Sequence, residues 1–227
     1  MMKQSVVPGH LFLSSFLVLA LLIGCAPSEE DDGGARTAEN GLIPTETRQA
    51  VVDLGSEAAG ELGAKLIGRL QSKLAEEGPA EAVEFCSVEG LPLTAEVSRE
   101  IGFEVKRTSS RIRNPANAPD SLERAALDHF EEAAAAGDSL PSAFVQRTAA
   151  EDYRHYQPLR VQPFCVQCHG SRDDLGEGVA EILEERYPDD AATGYSAGDF
   201  RGLIRVTVPA SAVERRSGAS ESVGGGR

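Results

Sequence analysis

Cys165, Cys168 and His169 form a C-x-x-C-H motif within Cys165-Val166-Gln167-Cys168-His169. Two thiols at this spacing can each add to one vinyl group of a single porphyrin. The adjacent histidine then offers an imidazole nitrogen to the iron from one side. The pattern fits covalent attachment of one c-type haem, with His169 as an axial ligand. Two other chemistries share part of it. A redox C-x-x-C disulfide has the same thiol spacing. In a thioredoxin-like fold, however, it comes early, after a first strand and opening a helix, whereas here it comes late, behind Pro163-Phe164. A zinc site needs further Cys or His at matching spacing, and the chain has no second C-x-x-C and no H-x-x-x-H.

An electron-carrying cytochrome c pairs histidine with methionine. The only methionines are Met1 and Met2, which leave with the leader described below, so methionine ligation is excluded by counting. His129, His155, Cys86, a lysine or an open position remain. His155 alternates with tyrosines close in sequence to the motif. Cys86 lies on the apolar side of a short helix and is the one thiol without another assignment. Spacing alone does not choose between Cys86 and His155.

Lys106-Arg107-Thr108-Ser109-Ser110-Arg111-Ile112-Arg113 carries four positive charges in eight residues. A solvated strand end explains such a cluster, and so does a set of guanidiniums for haem propionates, since Arg grips a carboxylate bidentately. Arg107, Arg111, Arg113 and the following Asn114 are the candidate propionate contacts. The rest of the chain is acidic, with 36 Asp and Glu against 22 Lys and Arg and a formal charge of −14. Such a surface repels nucleic acid and anionic lipid, which excludes both as expected partners. Hydrophobic residues make up 41% of the chain, enough for one packed domain.

The N-terminus reads as an export signal. Lys3 precedes an almost unbroken apolar run of thirteen residues, Leu11 to Ile23. That run is shorter than the ~20 residues of a membrane span and fits the apolar region of a signal peptide. It ends in Leu22-Ile23-Gly24-Cys25, which resembles a bacterial lipoprotein signal, with cleavage before Cys25 and lipid on its sulfur. The plainer reading is ordinary cleavage with Cys25 as a free thiol. Both export the chain, and export agrees with covalent haem. The expected divisions are a signal peptide over 1–24, a disordered tether over 25–44, a haem-binding domain over 45–209 and a disordered tail over 210–227. The expected location is the periplasmic side of a bacterial envelope, with the membrane met only through the lipid anchor.

These residues must be positioned by helices and short strands. Val51, Leu54, Ala58, Leu62, Leu66 and Leu70 recur at three- and four-residue steps, which predicts a long helix from about Thr45 to Gly78-Pro79. Gly55, Gly60, Gly63 and Gly68 within it suggest close approach of another backbone. A short helix is predicted over Ala80–Val88 and another from Leu93 to Gly102. A strand follows over Phe103–Thr108. Asp120 and Glu123 form a capping signature for a helix ending at Gly137. Short antiparallel strands are predicted at Phe144–Thr148, Tyr153–Tyr156 and Leu159–Val161, with Pro158 as a break. A helix over Glu177–Arg186 and a strand over Leu203–Val208 complete the domain.

Three segments sharpen this reading: Ala82-Val83-Glu84-Phe85-Cys86, Arg111 to Asp120 with its Arg-Asn-Pro-x-Asn-x-Pro loop, and Pro163-Phe164-Cys165-Val166-Gln167-Cys168-His169-Gly170. With Gly198-Asp199-Phe200-Arg201-Gly202 before the last strand, they resemble the single-haem, PAS-like sensor family long listed as a domain of unknown function. The resemblance covers roughly Thr45 to Pro209. It implies an α+β fold, a PAS-like antiparallel sheet flanked by helices, behind a long N-terminal helix. It also implies a c-type haem against the sheet, with His169 and Cys86 as the axial pair. No kinase or transmitter segment follows the sheet, so an output built into the same chain is not expected. The function that follows is a lipid-anchored redox or gas sensor, with a small gas or a redox protein as partner. The alternative is a periplasmic single-haem electron carrier. A haem enzyme ranks last, because no distal catalytic motif is visible.

Overall fold

The computed structural model describes residues 43–224. The signal peptide, Cys25 and the tether up to residue 42 lie outside the described residues. Two helices come first, α1 (Thr45–Glu77) and α2 (Pro79–Ile101). Strand β1 (Glu104–Thr108), helix α3 (Ser121–Ala135) and strands β2 (Phe144–Arg147) and β3 (Tyr153–Arg160) follow. A four-residue turn of helix, α4 (Val166–His169), then carries the C-x-x-C-H motif. Helix α5 (Val179–Arg186), strand β4 (Phe200–Val208) and helix α6 (Ala210–Gly224) end the fold. The four strands form one antiparallel sheet in the order β1-β4-β3-β2. This is the α+β class expected, an antiparallel sheet flanked by helices behind a long N-terminal helix.

Strand alternation divides the core between the two faces of the sheet. On one face Val105, Val145, Ile204, Val206 and Val208 meet Val51, Ala58, Ala59 and Leu62 of α1 and Val97 of α2. On the other, Tyr156 and Leu203 meet Ala126, Leu127 and Phe130 of α3. The capping signature of α3 is fully formed: the Glu123 backbone N–H donates to Asp120 Oδ1 at 2.8 Å, and the Asp120 N–H donates to Glu123 Oε2 at 2.9 Å.

Three expectations are corrected. The two helices expected over Ala80–Gly102 are one, α2, which runs through Pro92. Val83, Leu93 and Val97 on its buried side hold it across the proline. Val88, whose carbonyl loses its partner there, is on the exposed side, where water takes the bond. Pro158 does not break β3 either. Strand β2 ends opposite Tyr156, so beyond that residue β3 has a free edge, where proline is tolerated. The tail after Pro209 begins as α6, and Ala212 and Val213 bury themselves in the α1 side of the core.

The glycines of α1 also divide. At Gly60, Gly63 and Gly68 an added Cβ would meet nothing within 4 Å, so no close approach occurs there. Gly60 and Gly63 line an open cavity of about 370 Å³ beside Pro158 and Leu159. Gly55 is the tight position: an added Cβ would sit 2.2 Å from Cγ of His155, whose ring is fully buried. Gly55→Ala is expected to destabilise the fold by about 1–3 kcal/mol through overpacking, read as a lowered thermal midpoint, while Gly60→Ala is neutral or slightly stabilising.

Candidate functional site

The motif is assembled by α4, the loop after α5 and the N-terminal half of α2. Cys165 caps the single turn of α4, so Cys165, Cys168 and His169 are carried on consecutive corners of one short helix. All three are half-buried, and both cysteines are free thiols. The loop from Ala191 to Tyr195 runs back along the motif. Tyr195 N donates to His169 O at 2.9 Å and Gly194 N to Gly170 O at 2.6 Å.

His169 is held in one orientation. Its Nδ1 lies 2.7 Å from the carbonyl of Ala192, which can only accept, so Nδ1 carries the proton and Nε2 keeps its lone pair. Burial holds this imidazole well below the usual histidine range, and the positive charges of Arg113, Arg201 and Arg107 add to the effect. The ring is therefore neutral at physiological pH, with one nitrogen available to a metal.

Cys86 comes to the motif from α2. Cys168 packs with Val83, one turn before Cys86 on the same helix, and with Leu183 and Tyr187, and the Cys86 thiol acts on the ionisation of Cys168. Burial pushes the Cys86 thiol up, against the opposing pull of Arg107 and Arg113. Burial likewise pushes Cys168 up to about 11, with Arg113 opposing and Cys86 and Cys165 reinforcing. Three neutral thiols and one neutral imidazole thus share one region.

His155, the other candidate beside Cys86, is not brought there. It is enclosed between β3 and α1, with Nε2 3.2 Å from Ser56 Oγ and Nδ1 buried without a partner. Its ring packs against Gly55 of α1. Burial lowers its pKa from 6.5 to about 4. The sign of the linkage follows. Unfolded, the ring takes a proton near pH 6.5; folded, only near 4. Stability present above pH 6.5 is therefore lost as pH falls toward 4, by up to about 3 kcal/mol. Urea titrations between pH 7 and 4.5 are expected to show that loss in the wild type and a shallower one in His155→Gln. His129 is exposed and stacks on Phe144 at 4.6 Å, on the α3 side of the sheet.

The basic cluster splits by role. Arg113 is already paired: Nε and Nη2 bind both Asp190 carboxylate oxygens, at 3.1 and 3.0 Å, and Nη2 also donates to Cys168 O at 2.6 Å. It clamps the motif to the loop and is not a free cation. The Asn114 side chain accepts from Ala116 N at 2.9 Å and shapes its own turn. Both were expected as propionate contacts, and here Arg113 is engaged with Asp190 and Asn114 with its own turn. Arg111 donates to the Ala191 and Thr193 carbonyls and lies over the Tyr195 ring, 4.1 Å from its centroid. Arg201, which the sequence reading did not select, lies over the same ring at 5.3 Å and donates to Ser109 Oγ at 2.9 Å. Arg111, Tyr195, Phe200 and Arg201 line an open cavity of about 360 Å³. The Tyr195 ring stands edge-on to His169, with ring centres 6.4 Å apart. Arg107, Arg111 and Arg201 form no ion pair among the described residues.

The donor set suits an iron porphyrin. Two thiols and a neutral imidazole occupy one turn, and a third thiol and three unpaired guanidiniums surround them. A haem brings two propionates, and a bound thiolate adds a third negative charge.

The family model described as Tll0287-like, Tll0287, matches residues 37–209. The chain belongs to the Tll0287-like family. The Tll0287-like stretch holds every site residue just described, from Cys86 to Arg201, and begins after Cys25. A crystal structure of the cyanobacterial heme-protein Tll0287 is similar to this chain at 28% identity and a TM-score of 0.51. The match covers 74% of this chain and 97% of that one. No curated protein matches.

Proposed function

We propose that the chain carries one c-type haem joined through Cys165 and Cys168, with His169 and Cys86 as axial ligands. We further propose that it works as a redox or gas sensor, exported and lipid-anchored through Cys25 on the periplasmic side of a bacterial envelope. The observation that carries this reading is a C-x-x-C-H turn whose His169 ring is fixed by the Ala192 carbonyl, with Cys168 packed on Val83, one turn before Cys86 on α2. The similarity to Tll0287, described as a heme-protein, supports haem as the cofactor. Arg111 and Arg201 are the residues we assign to the propionates.

Thiolate ligation accounts for the sensing role. An anionic sulfur donor would favour ferric over ferrous iron and so lower the potential, and reduction would weaken the hold of Cys86. The position it leaves suits a small gas molecule, and release of Cys86 would pass a change into α2. A pyridine haemochrome spectrum of the exported protein tests the thioether linkage. The ferric spectrum of Cys86→Ala tests the ligand: it is expected to lose its thiolate signature, and an unchanged spectrum would remove Cys86.

One observation favours electron transfer as the second reading. Tyr195 stands between His169 and the exposed Arg111, a route from the metal ligand to the surface. A carrier keeps its ligands through the redox cycle. Carbon monoxide binding to the reduced protein with loss of Cys86 favours the sensor.

A further inference from the structure

Arg107 is placed unlike the other cations of the site. It lies on β1 opposite Ile204, and its Nη2 donates to the Gly90 carbonyl of α2 at 3.1 Å. Gly90 follows Cys86 by one helical turn and so lies on the same side of α2. The absence of a side chain at Gly90 makes the room: an added Cβ would lie 3.1 Å from Arg107 Nη2. The Nε of Arg107 is buried and has no hydrogen-bond partner. A guanidinium drawn out of water with an orphaned donor and no carboxylate needs an anion. The groups of opposite potential sign that act on it are the Cys86 sulfur and the Tyr187 hydroxyl. Of the two, only Cys86 is a proposed iron ligand, and a metal-bound thiol is held as the thiolate, so the sulfur is the anion.

We infer that the Arg107 guanidinium is the counter-charge of a Cys86 thiolate, a positioning residue that keeps the sulfur on the iron, and not a propionate contact. The inference rests on the ligand assignment proposed above. Arg113, the other cation acting on Cys86, cannot serve in its place, because Asp190 already neutralises it. Withdrawing the Arg107 charge raises the free energy of the anionic sulfur, so it would take a proton from solvent and leave ferrous iron as the neutral thiol more readily.

The test is the carbon monoxide affinity of the reduced holoprotein, since the gas must displace Cys86. Arg107→Gln is expected to bind carbon monoxide about tenfold more tightly than wild type. Arg107→Lys, which keeps the charge, is expected to restore most of the difference. An Arg107→Gln holoprotein with wild-type affinity overturns the inference. So does one in which only the reduction potential moves, the result expected of a propionate contact. Should Arg107→Gln yield no holoprotein, Gly90→Ala decides, because it displaces the guanidinium end and keeps the charge elsewhere in the chain. Tighter binding in that variant supports the inference and an unchanged affinity overturns it. An unchanged ferric spectrum in Cys86→Ala is a separate result and sinks the ligand assignment itself.

Discussion

Alanine at both Cys165 and Cys168 is expected to abolish covalent haem. Expressed with its leader in a host competent for cytochrome c maturation, the wild type should retain haem through a denaturing gel. The double variant should retain none. The expectation follows from geometry as well as from the motif. Both thiols sit half-buried on one turn of α4, beside His169. Each single variant keeps one sulfur and should retain haem through one thioether, with the pyridine haemochrome band displaced toward that of a porphyrin carrying one free vinyl group. His169→Ala should separate attachment from ligation: haem stays joined to the chain while the axial field changes. A colourless wild type from the same host, with the two thiols free or joined to each other, would remove the proposed function entirely.

The C-x-x-C-H motif was legible because its chemistry is local. Two sulfurs and an imidazole within five residues need no tertiary contact to be recognised. Cys86 was legible only as a remainder, one thiol left after the others had been assigned, and spacing could not separate it from His155. What separates them is which helices each residue packs among. His155 lies on β3 beneath Gly55 of α1, and Cys86 lies on the stretch of α2 that packs beside α4 and α5. No periodicity encodes that choice. The unpaired cations were half legible. A run of four positive charges marked Arg107 to Arg113, yet the same run holds a paired clamp, Arg113, and leaves out Arg201, which reaches the site from the far end of the chain. Asp190 sits in a loop too rich in acids for one carboxylate to stand out.

The fold was readable to a similar depth and failed for a consistent reason. Caps and stripes held: Thr45 to Gly78 for α1, Asp120 and Glu123 for α3, and the Ile204, Val206 and Val208 face of β4. Pro158 was over-read as a break, and α2 was read as two helices, because local signals were weighed without the tertiary context that offsets them. At Pro92 the buried side of α2 holds the helix, and at Pro158 the neighbouring strand has already ended. The stripe of α1 was over-extended: burial stops at Leu62, and Leu66 and Leu70 are only partly covered.

Glu123 carries a second function that its capping role hides, and its loss should give the largest stability change outside the haem site. Its side chain is fully buried. One oxygen accepts from Lys106 Nζ at 2.7 Å and from the Asp120 backbone, and the other accepts from Arg205 Nε at 3.1 Å. Arg205 is itself buried in the middle of β4, and Glu104 approaches its outer nitrogens from β1. Glu123 therefore ties α3 to β1 and β4 through one carboxylate. Glu123→Ala removes half of a capping box and leaves Arg205 under-compensated away from water, which should destabilise the protein by about 3–5 kcal/mol. For a domain of this size that lowers the thermal midpoint by roughly 10 °C. Glu151→Ala, which removes the exposed partner of Arg147, should change stability by less than about 1 kcal/mol. Replacing Glu123 and Arg205 together, as Glu123→Gln with Arg205→Met, should recover part of the loss, because the stranded charge goes with its partner. A single variant as stable as wild type would mean that Glu104 alone neutralises Arg205. A double variant destabilised by the full sum of the two single losses would mean that Glu123 and Arg205 act independently and that no stranded charge is involved.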